Sequence, residues 1–412
     1  MKFLVIVLCT LISINGWAAG LATPFSLSTT QVLPKGVRSV RVSGINTTVD
    51  GWYNDVGYGT AVAEPFNQQL SYGRLLKAEN DDNLKMNVEA QLNNKGVPLT
   101  NIAGAAYADI NTRVFATLPA IAYGLTSRWT VALAVPIVYT NIDVETGFVG
   151  TEELQTLVDD FSQKSRKQTG IIQEKLTDVV ATELANKGYK PLVDSEQTQV
   201  GDLVLVAKYL AAKGLSYSWS ITNTLTAPTG HVRDTNKLVD PTPGDGQWDY
   251  GITSTLELPV TAQFRFINNT GYTFQFSDVR EARVPISETE RASADIDYGA
   301  NRDLGDQMFS SIGAIYDPAD WISFGGTYTF AYKERDKWTG VNFSQDRYRV
   351  LGVETEQWME AIYLQTTLST VGMYRRNIFP VPFLMTLGYG QAFDGRNIRK
   401  DPLYSLNATM FF

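Results

Sequence analysis

Residues able to do covalent chemistry are scarce in this chain. It holds one histidine, His231, and one cysteine, Cys9, in 412 residues. A His/Cys metal cage needs several such ligands, a thiol nucleophile needs a histidine partner, and a disulfide needs a second cysteine. His231 follows Pro228-Thr229-Gly230 at the start of a loop, where a lone histidine is ordinarily just solvated. No G-x-S-x-G elbow occurs, so the nucleophile-turn hydrolases are excluded as well. The acid pairs Asp81-Asp82 and Asp159-Asp160 could hold Ca²⁺, but no EF-hand spacing surrounds them. The expectation is a chain with no enzymatic activity, no metal and no cofactor.

The remaining charges must therefore position or select rather than react. The formal charge is −8, which removes the basic footprint that nucleic-acid binding requires. Lys2, the apolar run Phe3 to Ile14, and Gly16-Trp17-Ala18 read as the n-region, h-region and cleavage site of a signal peptide, residues 1–18. Cys9 leaves with it. No later run reaches the roughly 18 apolar residues of a spanning helix. The exported chain is thus either periplasmic or a barrel.

Alternation decides between them. In 216–227, Tyr217, Trp219, Ile221, Leu225 and Ala227 share one face, and Ser216, Ser218, Ser220, Thr222, Thr224 and Thr226 share the other. In 264–277, Phe264, Phe266, Tyr272, Phe274 and Phe276 oppose Arg265, Asn269, Thr273, Gln275 and Ser277. In 322–333, Phe324, Tyr328, Phe330 and Tyr332 oppose Ser323, Gly325, Thr327, Thr329 and Lys333. Only a strand separates such sets. The segments reach the roughly 9–11 residues a tilted membrane strand needs, beyond the roughly 5–6 of a sandwich strand. The second face is small and hydroxylic, which suits a hydrated lumen, and aromatics gather near segment ends as a girdle requires.

Twelve such segments can be placed, near 36–46, 109–121, 129–140, 201–211, 216–228, 249–258, 263–276, 307–316, 321–333, 357–369, 381–391 and 403–412. The fold class is all-β, a transmembrane antiparallel β-barrel of about 12 strands spanning 36–412, with 19–35 as a periplasmic or lumenal segment. The connections on one side are short, such as Gly124-Leu125-Thr126-Ser127 and Ala212-Lys213-Gly214. Those on the other are long, as in outer-membrane barrels. Residues 151–188 read as a helical insert in one extracellular loop. Thr151 can cap, Glu152 and Glu153 suit a first turn, and Leu154, Leu157, Val158 and Phe161 recur at helical spacing. The insert could be a lid, a lumenal plug or a partner-docking element.

Six charges fall on the polar faces and are predicted to line the lumen: Arg41, Arg113, Lys208, Glu257, Arg265 and Lys333. Such charges pair across the wall, hold an inner segment, or form a selectivity filter. Tyr404, Leu406, Ala408, Met410 and terminal Phe412 alternate with Ser405, Asn407 and Thr409, an ending that resembles the assembly signal of bacterial outer-membrane proteins. The expected partners are outer-membrane lipids and the outer-membrane assembly machinery, with a small apolar solute possible inside and no nucleic acid.

One set of motifs resembles a particular family. Gly201-Asp202-Leu203, then Ala207-Lys208-Tyr209, then Pro228-Thr229-Gly230, then Gly244-Asp245-Gly246-Gln247-Trp248 are similar to the core of the MetA-pathway phenol-degradation transporters, relatives of the FadL-type hydrophobic-solute channels. The resemblance covers about 125–276. It implies outer-membrane uptake of small apolar or aromatic compounds, and by analogy an N-terminal plug at 20–34. Read without the family, Pro228 and Gly230 mark a strand end and turn, and Trp248 a girdle residue. The competing reading is a structural or adhesive surface barrel with a closed lumen and partner-binding loops.

Overall fold

The computed structural model describes residues 27–412 apart from 65–66, 79–81, 155, 157–184, 186, 289–290 and 292–293. Residues 1–18, read from the sequence as a signal peptide, most of the 151–188 insert and the acid pair Asp159-Asp160 lie outside the described residues, as does Asp81. Among the described residues, no helix is long and apolar enough to cross a membrane.

Twelve strands form the wall: β1 (Arg38–Val49), β2 (Ile102–Gly124), β3 (Trp129–Ala134 continuing as Ile137–Gly150), β4 (Ser195–Val200 continuing as Leu203–Lys213), β5 (Ser218–Ala227), β6 (Asp249–Pro259), β7 (Phe264–Gln275), β8 (Gln307–Ala319), β9 (Ile322–Lys333), β10 (Gln357–Ser369), β11 (Phe383–Arg396) and β12 (Leu403–Phe411). Each pairs antiparallel with the next. The ring closes because β1 pairs on one edge with β2, Arg38 opposite Tyr123, and on the other with β12, Ser39 opposite Phe411. Closure removes the open edges that hydrocarbon cannot solvate. All twelve expected strands are present, including the weakly alternating first one.

The side-chain period of two sorts the wall into two surfaces. On β12, Leu403, Ser405 and Asn407 are buried, while Tyr404, Leu406 and Met410 are exposed. On β9, Thr327, Thr329, Ala331 and Lys333 are buried and Phe324, Tyr328 and Phe330 are exposed. Every strand contributes to the exposed apolar belt, from Val40 and Val42 on β1 to Leu387 on β11. A water-facing surface of that extent would be far larger than the few hundred Å² a soluble monomer tolerates, so the belt is a lipid-facing one. The ten residues of β5 at about 3.3 Å each and a tilt of about 40° cover roughly 25 Å, the height of an outer-membrane apolar band.

Two strands are interrupted at neighbouring places. Pro136 cannot donate to a ladder and separates the halves of β3, and Gly201-Asp202 separates the halves of β4. The long connections at that end build a cap. Asp278–Pro285, Ala294–Asp303 and Lys337–Thr339 form a three-stranded sheet, and a helix, Gln345–Leu351, packs Tyr348 against Ala282, Val284 and Ala300. Gly51–Tyr53, Gly59–Ala61 and Ile398–Arg399 form a second small sheet. Val62, Ala63 and Val239 from these connections pack against Ile45, Val49, Ile110, Val114, Val138 and Ile142, which point inward from β1, β2 and β3.

Candidate functional site

The barrel mouth at the end of the short turns is crossed by residues 27–33 of its own chain. The Leu27 amide donates to Gln365 Oε1 on β10 at 3.4 Å. The Thr30 amide donates to Glu257 Oε1 on β6 at 2.5 Å, and Thr30 Oγ1 shares a 2.6 Å hydrogen bond with Ser218 Oγ on β5. Lys208 Nζ on β4 donates to the Thr29 carbonyl. The Leu33 amide reaches Thr130 Oγ1 on β3 at 2.7 Å. Leu27 and Leu33 thus anchor on nearly opposite walls. A ring of twelve strands has a backbone diameter of roughly 24 Å from its strand spacing and tilt. Six extended residue steps cover about 20 Å, so the segment lies as a chord with little slack.

Three of the six predicted lumenal charges hold this chord. Lys208 and Glu257 bind its backbone directly, and Arg265 stands beside Glu257, Nε to Oε2 at 3.8 Å, while pairing with Asp317. Arg41 also faces inward, but apart from them, donating to Ser43 Oγ and Asn407 Oδ1, each at 3.0 Å. Lys333 lies at the opposite end, buried and bound to Asp336. Asp336 also accepts the Gly305 amide at 3.1 Å, so Lys333 ties cap loops together. Arg113 is a correction. It lies on the outer face of β2 with Phe115 and Ile121, because the buried row of that strand is Ala108, Ile110, Thr112, Val114 and Ala116. Its side chain is 64% exposed and pairs with Asp143 at 3.1 Å. The alternation on β2 places small and apolar residues inward, which inverts the usual reading of which face is the lumen.

The glycine- and aspartate-rich motifs converge on the break in β4. Asp202 Oδ1 accepts the Gly230 amide at 2.8 Å, and Oδ2 accepts the Asp245 amide at 3.2 Å. Thr229 Oγ1 accepts the Leu203 amide at 2.9 Å, and the His231 amide donates to the Val200 carbonyl at 2.8 Å. A Cβ on Gly230 would lie 2.5 Å from the Gly201 carbonyl carbon, so the two loops meet backbone to backbone. Pro228, which precedes Thr229, ends β5 as expected. Trp248 is exposed just ahead of β6, and its carbonyl accepts the Phe276 amide at 3.0 Å. The role of Asp202 as the organiser was not visible in the sequence; an aspartate between a glycine and a strand was the available signal.

Phe412 stays exposed beyond β12, its amide donating to the Arg38 carbonyl at 2.8 Å. Among the described residues no group of three or more His, Cys, Asp or Glu side chains could hold a metal ion.

Residues 91–356 match the family described as the MetA-pathway of phenol degradation. The chain belongs to this family. No curated protein matches it. Among solved structures it is similar to an outer membrane channel from Pseudomonas putida F1, with a TM-score of 0.54 and 11% identity over 94% of this chain and 100% of that one. A lower score, 0.34 at 9% identity, relates it to the toluene transporter TodX of Pseudomonas putida over 97% of this chain and 96% of that one. The first of these likenesses agrees with the closed twelve-strand barrel.

Proposed function

We propose that this protein is an outer-membrane channel for passive uptake of small hydrophobic or aromatic solutes. The observation that carries the reading is the contrast inside the barrel. A polar lower lumen is floored by residues 27–33, and in the upper half Ile45, Val49, Ile110, Val114 and Ile142 face inward under Val62, Ala63 and Val239 of the folded-in connections. An apolar solute that displaces those loop residues would meet apolar surface, worth about 25 cal/mol per Å² removed from water. The family's description in phenol degradation supports aromatic solutes. The floor is held by hydrogen bonds and not by a covalent link, so passage needs only its local release.

Single-channel recording of the refolded barrel, beside a 151–188 deletion, tests this reading. Stepwise conductance that is interrupted by brief blocks on adding phenol is expected. Silence from both proteins, each shown to be folded, would contradict it.

A further inference from the structure

Above the barrel, four extracellular connections surround a cavity of about 120 Å³. Leu238, Leu304 and Leu351 give it apolar walls, and Trp338 shares the rest with five cations, Arg280 among them, and four carboxylates, Asp245 and Glu281 among them. The polar groups are unevenly satisfied. Arg302 forms a two-point pair with Asp278, both contacts at 2.9 Å. Arg283 is spent on the carbonyls of Thr235, Lys187 and Gly188 and on the Asn236 side chain. Arg280 has no such neighbour. It donates to the Asp245 carbonyl at 2.7 Å, and Arg302 donates to that same carbonyl at 2.7 Å. Among the described residues, no carboxylate lies within ion-pair distance of Arg280. Burial and the neighbouring Arg302 lower its pKa to about 10, against the attraction of the Asp278 and Asp245 carboxylates, so it is a cation at neutral pH with no direct ion pair among the described residues. Trp338 lines the cavity with its ring, while its Nε1 is itself buried and does not face the space.

We propose that this cavity binds the anion of a single-ring aromatic carboxylic acid, its carboxylate on Arg280 and its ring among Leu238, Leu304 and Leu351. A guanidinium without an ion pair of its own offers the forked donors that two carboxylate oxygens accept. An apolar cavity of about 150 Å³ accepts benzene, so this space of about 120 Å³ takes at most one ring and excludes fused ones. The inference rests on the channel reading for its use, as a loading site at the outer entrance that selects acids from neutral hydrocarbons.

Titration calorimetry of the purified full-length barrel with benzoate, and with benzyl alcohol as the neutral ring, tests it. Benzoate is expected to bind saturably and more tightly than benzyl alcohol. Arg280→Gln should weaken benzoate by about ten- to a hundredfold, the worth of one charged hydrogen bond, and leave benzyl alcohol unchanged. Arg280→Lys should restore part of the loss. No saturable benzoate binding by folded wild type, or equal binding by Arg280→Gln, would overturn the proposal. If toluene flux is normal while benzoate fails to bind, this inference alone falls. If benzoate binds while no aromatic passes, the channel reading alone falls.

Discussion

Removing the carboxylate that holds the floor should open the channel by a calculable amount. Glu257 accepts the Thr30 amide at 2.5 Å inside a buried site, and such a charged hydrogen bond contributes roughly 1.5–3 kcal/mol net. Glu257→Ala deletes it outright. The released fraction of the segment should then rise by about 10- to 150-fold. Glu257→Gln keeps an acceptor of the same shape and loses only the charge, about 1 kcal/mol, so its rise should be near fivefold. The remaining contacts, from Lys208, Ser218, Thr130 and Gln365, still tether the segment in both variants. The barrel wall should therefore stay intact, which heat-modifiable mobility on gels verifies. Open probability in planar bilayers is the readout, with the order Ala above Gln above wild type. Equal open probability in all three folded proteins would refute the idea that this chord closes the mouth.

Other consequences follow from the motif knot and the cap. Asp202→Ala removes two backbone contacts made by one carboxylate, a loss of about 3 kcal/mol or more, and should make the loop 229–248 the first site of proteolysis; an unchanged cleavage pattern would contradict it. Asp245 is pushed up to about 6, first by burial and further by Asp202 and Asp278, against the opposing effects of the Gln247 amide and Arg302. A carboxyl with a raised folded pKa favours folding fully below its unfolded value, near 3.8, and that contribution fades as pH rises through about 6. The protection of 229–248 against hydrogen exchange, relative to the intrinsic base-catalysed rate, should thus fall between about pH 4 and 7 in wild type and lose that dependence in Asp245→Asn. Arg113→Gln should leave conductance unchanged and stability within about 0.5 kcal/mol, since its pair with Asp143 is exposed; a change in ion selectivity would put Arg113 back inside.

The wall was legible in the sequence because a two-residue period admits one backbone, and lipid forces every exposed position to obey it. The same rule failed for Arg113. On β2 the inward row is Ile110, Thr112, Val114 and Ala116, which pack against loops folded into the barrel, so polarity no longer marks the lumen. Lys208, Glu257 and Arg265 were found as inward charges, and a plug at 20–34 only by analogy; that these charges hold it was not legible, because the 27–33 segment has no period of its own. Cap contacts such as Tyr348 with Asp297, or Arg280 and Arg302 on one carbonyl, join residues tens of positions apart in irregular loops. No local pattern encodes such pairings.

The most direct test of the central claim is the initial rate at which labelled toluene crosses a lipopolysaccharide-containing outer membrane with and without this protein. Lipopolysaccharide matters because a plain bilayer passes small apolar rings unaided. A rate several-fold higher with the protein, linear in solute and independent of energy supply, is the predicted result. Equal rates with folded, inserted protein present would contradict the account.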